Sequence, residues 1–149
     1  MSLQQRLSDD VKLAMKAGEK LKLMVLRTTL AALKKEVIDS GKELGEAEEI
    51  AILQRAIKQR RESVDAFTKG NRPELAQKES EEAEILGAYL PRQLSEAELT
   101  EAVAEAIRAT SAVGAKDMGK VMGPLLAKYK GQVDGARARE AVQKALGAA

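Results

Sequence analysis

Apolar side chains recur at helical spacing along this sequence, and this periodicity constrains the fold more than any other feature. In the clearest stretch they lie alternately three and four residues apart, at Leu23, Leu26, Leu30, Leu33 and Val37. This spacing lines one side of an α-helix, whereas a half-buried strand would alternate apolar and polar residues. Aromatic residues make up only 2% of the chain, which disfavours a β-sandwich or barrel. The sequence therefore predicts an all-α fold.

Helix stop and start signals divide the first ninety or so residues into four predicted helices. Apolar stripes are followed by glycine at Gly18, Gly41 and Gly70, and glycine is the preferred residue just past a helix end. Asn71 is the predicted N-cap of the fourth helix, with Pro73 in its first turn.

The strongest break in the pattern lies at Pro91. Proline disfavours a helical conformation in the residue before it, and Ser95 with Glu98 forms a capping box that starts a new helix. We therefore predict an N-terminal helical domain over residues 1–91. A small domain of three helices is predicted over residues 95–149.

The chain contains no cysteine and no histidine, and this absence excludes several classes of enzyme. Disulfide-dependent folds and catalytic triads that need histidine are ruled out, and a zinc site is disfavoured because zinc ligands are mostly Cys and His. No apolar run approaches the ~20 residues that a membrane span needs. We expect a cytoplasmic protein with no membrane association, no bound metal and no cofactor.

Arg60 interrupts the apolar stripe of the third predicted helix and leaves two interpretations open. In the first, the aliphatic part of its side chain packs at the edge of the stripe and its guanidinium lies in water. In the second, the guanidinium is buried and pairs with a carboxylate of the next helix. Glu79 and Glu82, one turn apart, are the candidate partners there.

An unusual segment over residues 116–135 combines lysines with residues that destabilise helices. Gly119 and Gly123 lie on one side of a predicted helix, and each costs about 1 kcal/mol relative to alanine. Pro124 should kink that helix or displace its start. Such residues allow a neighbouring helix to pack closely, or a polyanion to approach the backbone. Spacing alone favours helix packing.

The same segment resembles the GatB/YqeY tail domain, which closes the B subunit of the glutamyl/aspartyl-tRNA amidotransferase. The similarity is carried by residues 118–123 (MGKVMG) and 128–135 (KYKGQVDG). Much of the remaining chain resembles the stand-alone YqeY-like proteins, through residues 9–16, 26–39, 58–63 and 89–95.

This resemblance implies a helical tail domain that follows a helical N-terminal domain. In the amidotransferase the tail domain engages tRNA, whereas glutamine hydrolysis and transamidation occur in other domains. The resemblance therefore implies a non-catalytic accessory protein that binds or associates with tRNA. The family also carries the label of carbon–nitrogen ligase activity with glutamine as amide donor, which no residue pattern here supports independently.

From these residues we predict one RNA-facing surface and no catalytic residues. Its phosphate contacts would come from Lys116, Lys120, Lys128, Lys130, Arg137 and Arg139. Gly119, Gly123 and Gly131 would serve backbone approach or helix packing, and Asp134 would cap the last helix.

Two other functions stay open at the level of sequence. The chain could be a protein-interaction module that docks an amidotransferase or an aminoacyl-tRNA synthetase, using an acidic stretch over residues 79–84 as an exposed surface. It could also be an amide-transfer enzyme with an amidase-type Ser–Lys pair, since neither cysteine nor histidine is present.

Overall fold

The computed structural model describes residues 2–147, and its regular structure there is entirely helical, which confirms the all-α prediction. The elements in chain order are α1 (Leu3–Ala17), α2 (Lys20–Ser40), α3 (Glu46–Lys69), α4 (Pro73–Gly87), α5 (Glu96–Thr110), a short 3₁₀ turn (Ala115–Asp117), α6 (Met118–Lys128) and α7 (Gly135–Gly147). The outer ends of the two predicted domains, residue 1 and residues 148–149, lie outside the described residues.

The chain divides after Leu90 into two compact units, each with its own hydrophobic core. The first unit contains α1 to α4 and the second contains α5 to α7. We propose that the units are separate domains joined by a linker over residues 91–95. The proposal rests on the separate cores and on the new helix that begins after Ser95.

Limited proteolysis tests this linker. We expect the first cuts to fall beside the exposed residues Arg92 and Gln93, because a connection between compact units opens at a lower free-energy cost than either core. Mass spectrometry should then find two stable fragments that meet there. Cuts scattered evenly through both units would contradict the proposal.

In the first unit, α2 packs against each of the other three helices. Its buried side chains are Val25, Leu26, Thr29 and Leu33, which form a wider face than the stripe predicted from spacing. Val25 and Thr29 are buried because neighbouring helices cover α2 on more than one side. Tyr89 closes this core, and its hydroxyl donates a hydrogen bond to Asp10 Oδ2 at 2.5 Å.

The start of α4 corrects the predicted N-cap. Asn71 has a φ of 57° and forms a left-handed turn after α3, whereas the N-cap position belongs to Arg72. Pro73 explains the difference, since a residue before proline is driven out of the helical region. Arg72 lies outside the helical region, with φ −120° and ψ 69°, and Asn71 makes the turn.

Glu49 joins α3 to the beginning of α1. Its buried carboxylate accepts hydrogen bonds from the backbone N–H of Leu3 at 3.4 Å and of Gln4 at 3.1 Å. The first N–H groups of a helix have no partner inside the helix and carry partial positive charge. Glu49 therefore stabilises the first turn of α1 from a distant part of the sequence.

Arg60 combines features of both interpretations drawn from the sequence. Its guanidinium donates to the carbonyl oxygen of Ala56 on the same helix at 3.0 Å, and its buried Nε has no hydrogen-bond partner among residues 2–147. Burial raises the pKa of the Glu82 carboxyl, and a hydrogen bond with Glu79 raises it further, while the positive charge of Arg60 lowers it. Arg60 thus faces Glu82 electrostatically, but its hydrogen bond goes to the backbone.

In the second unit, the predicted capping box is confirmed. Ser95 Oγ accepts from the N–H of Glu98 at 3.1 Å, and the Glu98 carboxylate accepts from the N–H of Ser95 at 3.0 Å. Arg92 binds both oxygens of the same carboxylate, at 2.9 and 2.8 Å. The hydrogen bonds from Arg92 and Ser95 lower the pKa of Glu98 to about 2. The helix start that follows the predicted linker is therefore firmly defined.

Candidate nucleic-acid interface

The connection between α5 and α6 separates two of the lysines assigned to one surface. Lys116 lies on the 3₁₀ turn, which Gly114 introduces with a φ of 80°, whereas Lys120 lies in α6. Their separation of four residues therefore does not place them on one face of a helix, because α6 begins only at Met118. Both side chains are nevertheless exposed and follow one another along the same short stretch of surface.

Helix α6 has an apolar side and a solvent side whose residues, apart from Lys120, are small or lack a side chain. Val121 and Leu125 are buried in the core of the second unit. The exposed positions over residues 119–127 are Gly119, Lys120, Gly123, Pro124 and Ala127. The backbone at the two glycines is therefore uncovered on the solvent side of α6, with a lysine beside it.

The two glycines in α6 do not accommodate a neighbouring helix of the described chain. A Cβ atom built on Gly119 or on Gly123 meets no atom within 4 Å. The helix-packing interpretation, which spacing favoured, is therefore wrong for residues 2–147. Gly131 has a different role. It is buried and makes the turn after α6 with a φ of 76°, a backbone conformation that is unfavourable for residues with a Cβ atom.

Pro124 lies inside α6 and does not displace its start, since the helix runs from Met118 to Lys128. A proline cannot donate to the carbonyl oxygen four residues earlier, which here belongs to Lys120. The carbonyl oxygen of Lys120 therefore lacks the hydrogen bond that residue 124 would donate in a regular helix.

The lysines at the two ends of α6 have acidic neighbours on the surface. Lys120 Nζ lies 3.6 Å from Asp117, and Lys128 Nζ lies 3.5 Å from Glu105 and 5.5 Å from the ring centre of Tyr129. Both lysine side chains are more than 60% exposed, so water and salt screen these pairs, although Asp117 itself is only 16% exposed. Lys130 is exposed in the turn that follows.

Arg137 and Arg139 project from different flanks of α7, because residues two apart on a helix do not face each other. The guanidinium of Arg137 donates to the carbonyl oxygen of Leu94 at 3.1 Å and to Glu96 Oε1 at 2.8 Å. It therefore ties the start of α7 to the start of α5. Arg139 is exposed on the other flank. Arg137 and Arg139 therefore do not share one flank of α7.

The start of α7 is capped as predicted. Asp134 Oδ1 accepts a hydrogen bond from the backbone N–H of Arg137 at 2.7 Å. Since this carboxylate already occupies the helix N-terminus, a phosphate approaching the same N–H group would have to displace it.

A family model described as Yqey-like protein matches residues 4–146. The chain belongs to the YqeY-like family. The resemblance to YqeY-like proteins that residues 9–16, 26–39, 58–63 and 89–95 indicated is thereby confirmed. The match extends through both units, so the candidate interface lies inside the family's own fold.

The curated relatives are proteins of the same name from several yeasts. The chain is 39% identical over 85 residues to "Altered inheritance of mitochondria protein 41, mitochondrial" of Eremothecium gossypii. It is 36% identical over 85 residues to the protein of that name from Lachancea thermotolerans, and 34% over 85 residues to that from Vanderwaltozyma polyspora. Each match covers 56% of this chain and 46% of the relative. The chain thus spans about half the length of the curated relatives that it matches.

A groove between α5 and α7 was not predicted from the sequence. It has a volume of about 440 Å³, an apolar floor that includes Leu99 and Val103, and both signs of charge at its rim. Glu96 and Glu140 lie there beside Arg137. The mixed charge distinguishes this groove from the lysine-flanked side of α6.

Between residues 2 and 147, every helix is too short or too polar to cross a lipid bilayer. Within the same range, no three acidic side chains lie close enough together to hold a metal ion.

Proposed function

We propose that this YqeY-like protein is a non-catalytic tRNA-binding accessory protein, related through its second unit to the tRNA-dependent amidotransferase. The observation that carries the proposal is the solvent side of α6, where Gly119 and Gly123 leave the backbone uncovered beside Lys120. The cytoplasmic location expected from the sequence is part of this proposal. The names of the yeast relatives, by contrast, place those proteins in mitochondria.

Helix stability alone does not account for this side of α6. Glycine in the interior of a helix costs about 1 kcal/mol relative to alanine, and a proline there removes a hydrogen bond. Gly119 and Gly123 gain no packing contact in return within residues 2–147. A molecule that approaches the backbone closely would supply the missing contact.

The lysines identify a phosphate backbone as the best match for such a molecule. Lys116, Lys120, Lys128 and Lys130 are all exposed along the ends of α6. Lysines bind phosphates mainly as point charges, and contacts to phosphate and sugar position a protein on nucleic acid. The surface we propose contains these four lysines, with Arg139 as a peripheral contact and Arg137 as the residue that positions α7.

Protein docking is the competing function, and the structure weakens the surface that suggested it. Residues 79–84 were expected to form an exposed acidic stretch, but Glu82 is only 6% exposed and Glu79 is half-buried. Glu81 and Glu84 are the exposed acids of that stretch. Docking to an amidotransferase or a synthetase remains the alternative if RNA binding fails.

Filter binding of the full chain to tRNA and to duplex DNA, over a range of salt concentrations, tests the proposal. If about four phosphates are contacted, the logarithm of the binding constant should fall with the logarithm of salt concentration with a slope of roughly −3 to −4. The double variant Lys120→Ala/Lys128→Ala should flatten that slope by about 1 to 2 units.

The matched control is Lys42→Ala/Lys78→Ala, which removes the same charge from exposed positions of the first unit. It should leave the slope within error of the wild-type value. Equal slopes for the two double variants would remove the α6 surface from consideration and favour the docking function.

A further inference from the structure

The exposed side of α2 is a second basic surface, in the first unit. Between Lys20 and Lys35 the sequence contains no acidic residue. Val25, Leu26 and Leu33 are fully buried, which fixes the orientation of the helix and turns its other side toward solvent. The solvent side is therefore uniformly positive along most of its length.

Two cations define the centre of this side. Arg27 and Lys34 are seven residues apart, which is two helical turns and about 10.5 Å along the axis. Ala31 lies exposed between them, and the Thr28 hydroxyl donates back to the carbonyl oxygen of Met24 at 2.9 Å. Small side chains thus separate the charges and leave room for a chain to lie across the helix. We call the exposed positions of Arg27, Thr28, Ala31 and Lys34 the α2 face.

The fold does not use the charges of the α2 face. Arg27 and Lys34 are exposed, and neither forms a salt bridge within the described residues. Lys35, by contrast, pairs with Asp39 at 2.6 Å. Two unpaired like charges on one helix side repel each other slightly, so their contribution to folding is unfavourable or zero.

Charge complementarity selects the occupant of this face. The large apolar side chains exposed on the same side are Met24 and Ile38, at opposite ends, about 21 Å apart along the axis. They form no continuous apolar patch of the kind that a protein partner would bury. A row of cations with small residues between them suits a polyanion that carries regularly spaced charges.

We infer that the α2 face binds the phosphate backbone of RNA through Arg27 and Lys34. This inference rests on the proposed tRNA-binding function and extends it to the first unit. Because both units belong to one chain, binding through one surface raises the effective concentration of the other near the same RNA.

Salt-dependent tRNA binding of the full chain tests this surface with its own variant. With two phosphate contacts on the α2 face in addition to four at α6, the wild-type slope should steepen from between −3 and −4 to about −5. Arg27→Ala/Lys34→Ala should flatten that slope by about 1.5 to 2 units and weaken binding at 0.1 M salt by about tenfold or more. Circular dichroism should show unchanged helicity, since alanine is a strong helix former and both side chains are exposed. The control is again Lys42→Ala/Lys78→Ala, which should bind as the wild type does.

The outcomes separate this inference from the proposed function. If Lys120→Ala/Lys128→Ala weakens binding and Arg27→Ala/Lys34→Ala behaves like the control, the α2 face is overturned as an RNA site and the function stands. If only the α2 variant weakens binding, the α2 face is supported and the α6 surface is overturned. If the wild-type chain binds no tRNA, both the α2 inference and the proposed function are overturned. Binding of an acidic protein to the α2 face in place of RNA would also overturn the inference.

Discussion

Alanine at Gly119 and Gly123 is expected to stabilise the second unit and at the same time to weaken tRNA binding. The new methyl groups would point into open space, so alanine adds helix propensity without a clash. The expected gain is about 1 kcal/mol for Gly123 in the helix interior and less for Gly119 in the first turn. The methyl groups would also hold an RNA backbone away from α6, and we expect a loss of affinity of about tenfold, or 1.4 kcal/mol.

Denaturant unfolding and tRNA titration of the same double variant measure these two effects, which have opposite signs. Gly147→Ala, at the end of α7, is the matched control because a Cβ there also meets no atom. It should leave tRNA affinity unchanged. A stabilised Gly119→Ala/Gly123→Ala variant with wild-type affinity would show that close approach to α6 plays no part in binding.

Alanine at Glu49 is expected to produce the largest loss of stability among these variants. The buried carboxylate accepts from two backbone N–H groups at the start of α1, and its removal leaves both without their partner. Hydrogen bonds to a charged group contribute about 1.5–3 kcal/mol, and the interaction with the helix dipole adds to this. We expect the free energy of unfolding of the first unit to fall by about 2–4 kcal/mol.

Chemical unfolding followed by circular dichroism measures this loss, and Glu48→Ala is the matched control. Glu48 lies in the same first turn of α3 but is exposed. Its removal should cost less than about 1 kcal/mol, the typical value for a charge near a helix end. Similar losses for the two variants would mean that Glu49 acts on α3 alone and not on α1.

Local signals in the sequence predicted the helical elements of the fold well. The glycines at the ends of α1 and α2 and the capping box at Ser95 act over a few residues, and each lies at a helix boundary in the structure. Asn71 failed because Pro73 acts on the residue before it, so two local rules competed and the steric one prevailed. The role of Glu49 at the start of α1 depends on a contact across 45 residues, which no local pattern reveals.

The candidate site was predicted in its composition but not in its arrangement. The glycines and lysines of α6 were identified by residue type, and spacing suggested that Gly119 and Gly123 support helix packing. Only the structure shows that this side of α6 is open. The contacts of Arg137 with Leu94 and Glu96 depend on how α5 and α7 pack, which the sequence does not specify.

Each unit contains one tyrosine, whose fluorescence can report on that unit alone. The chain has no tryptophan, and its tyrosines are Tyr89 in the first unit and Tyr129 in the second. Tyr89 is buried and hydrogen-bonded to Asp10, whereas Tyr129 is half-buried beside Lys128. Replacing either ring with phenylalanine would leave a chain whose tyrosine emission reports on one unit, and Tyr129 would sense a ligand that reaches the end of α6.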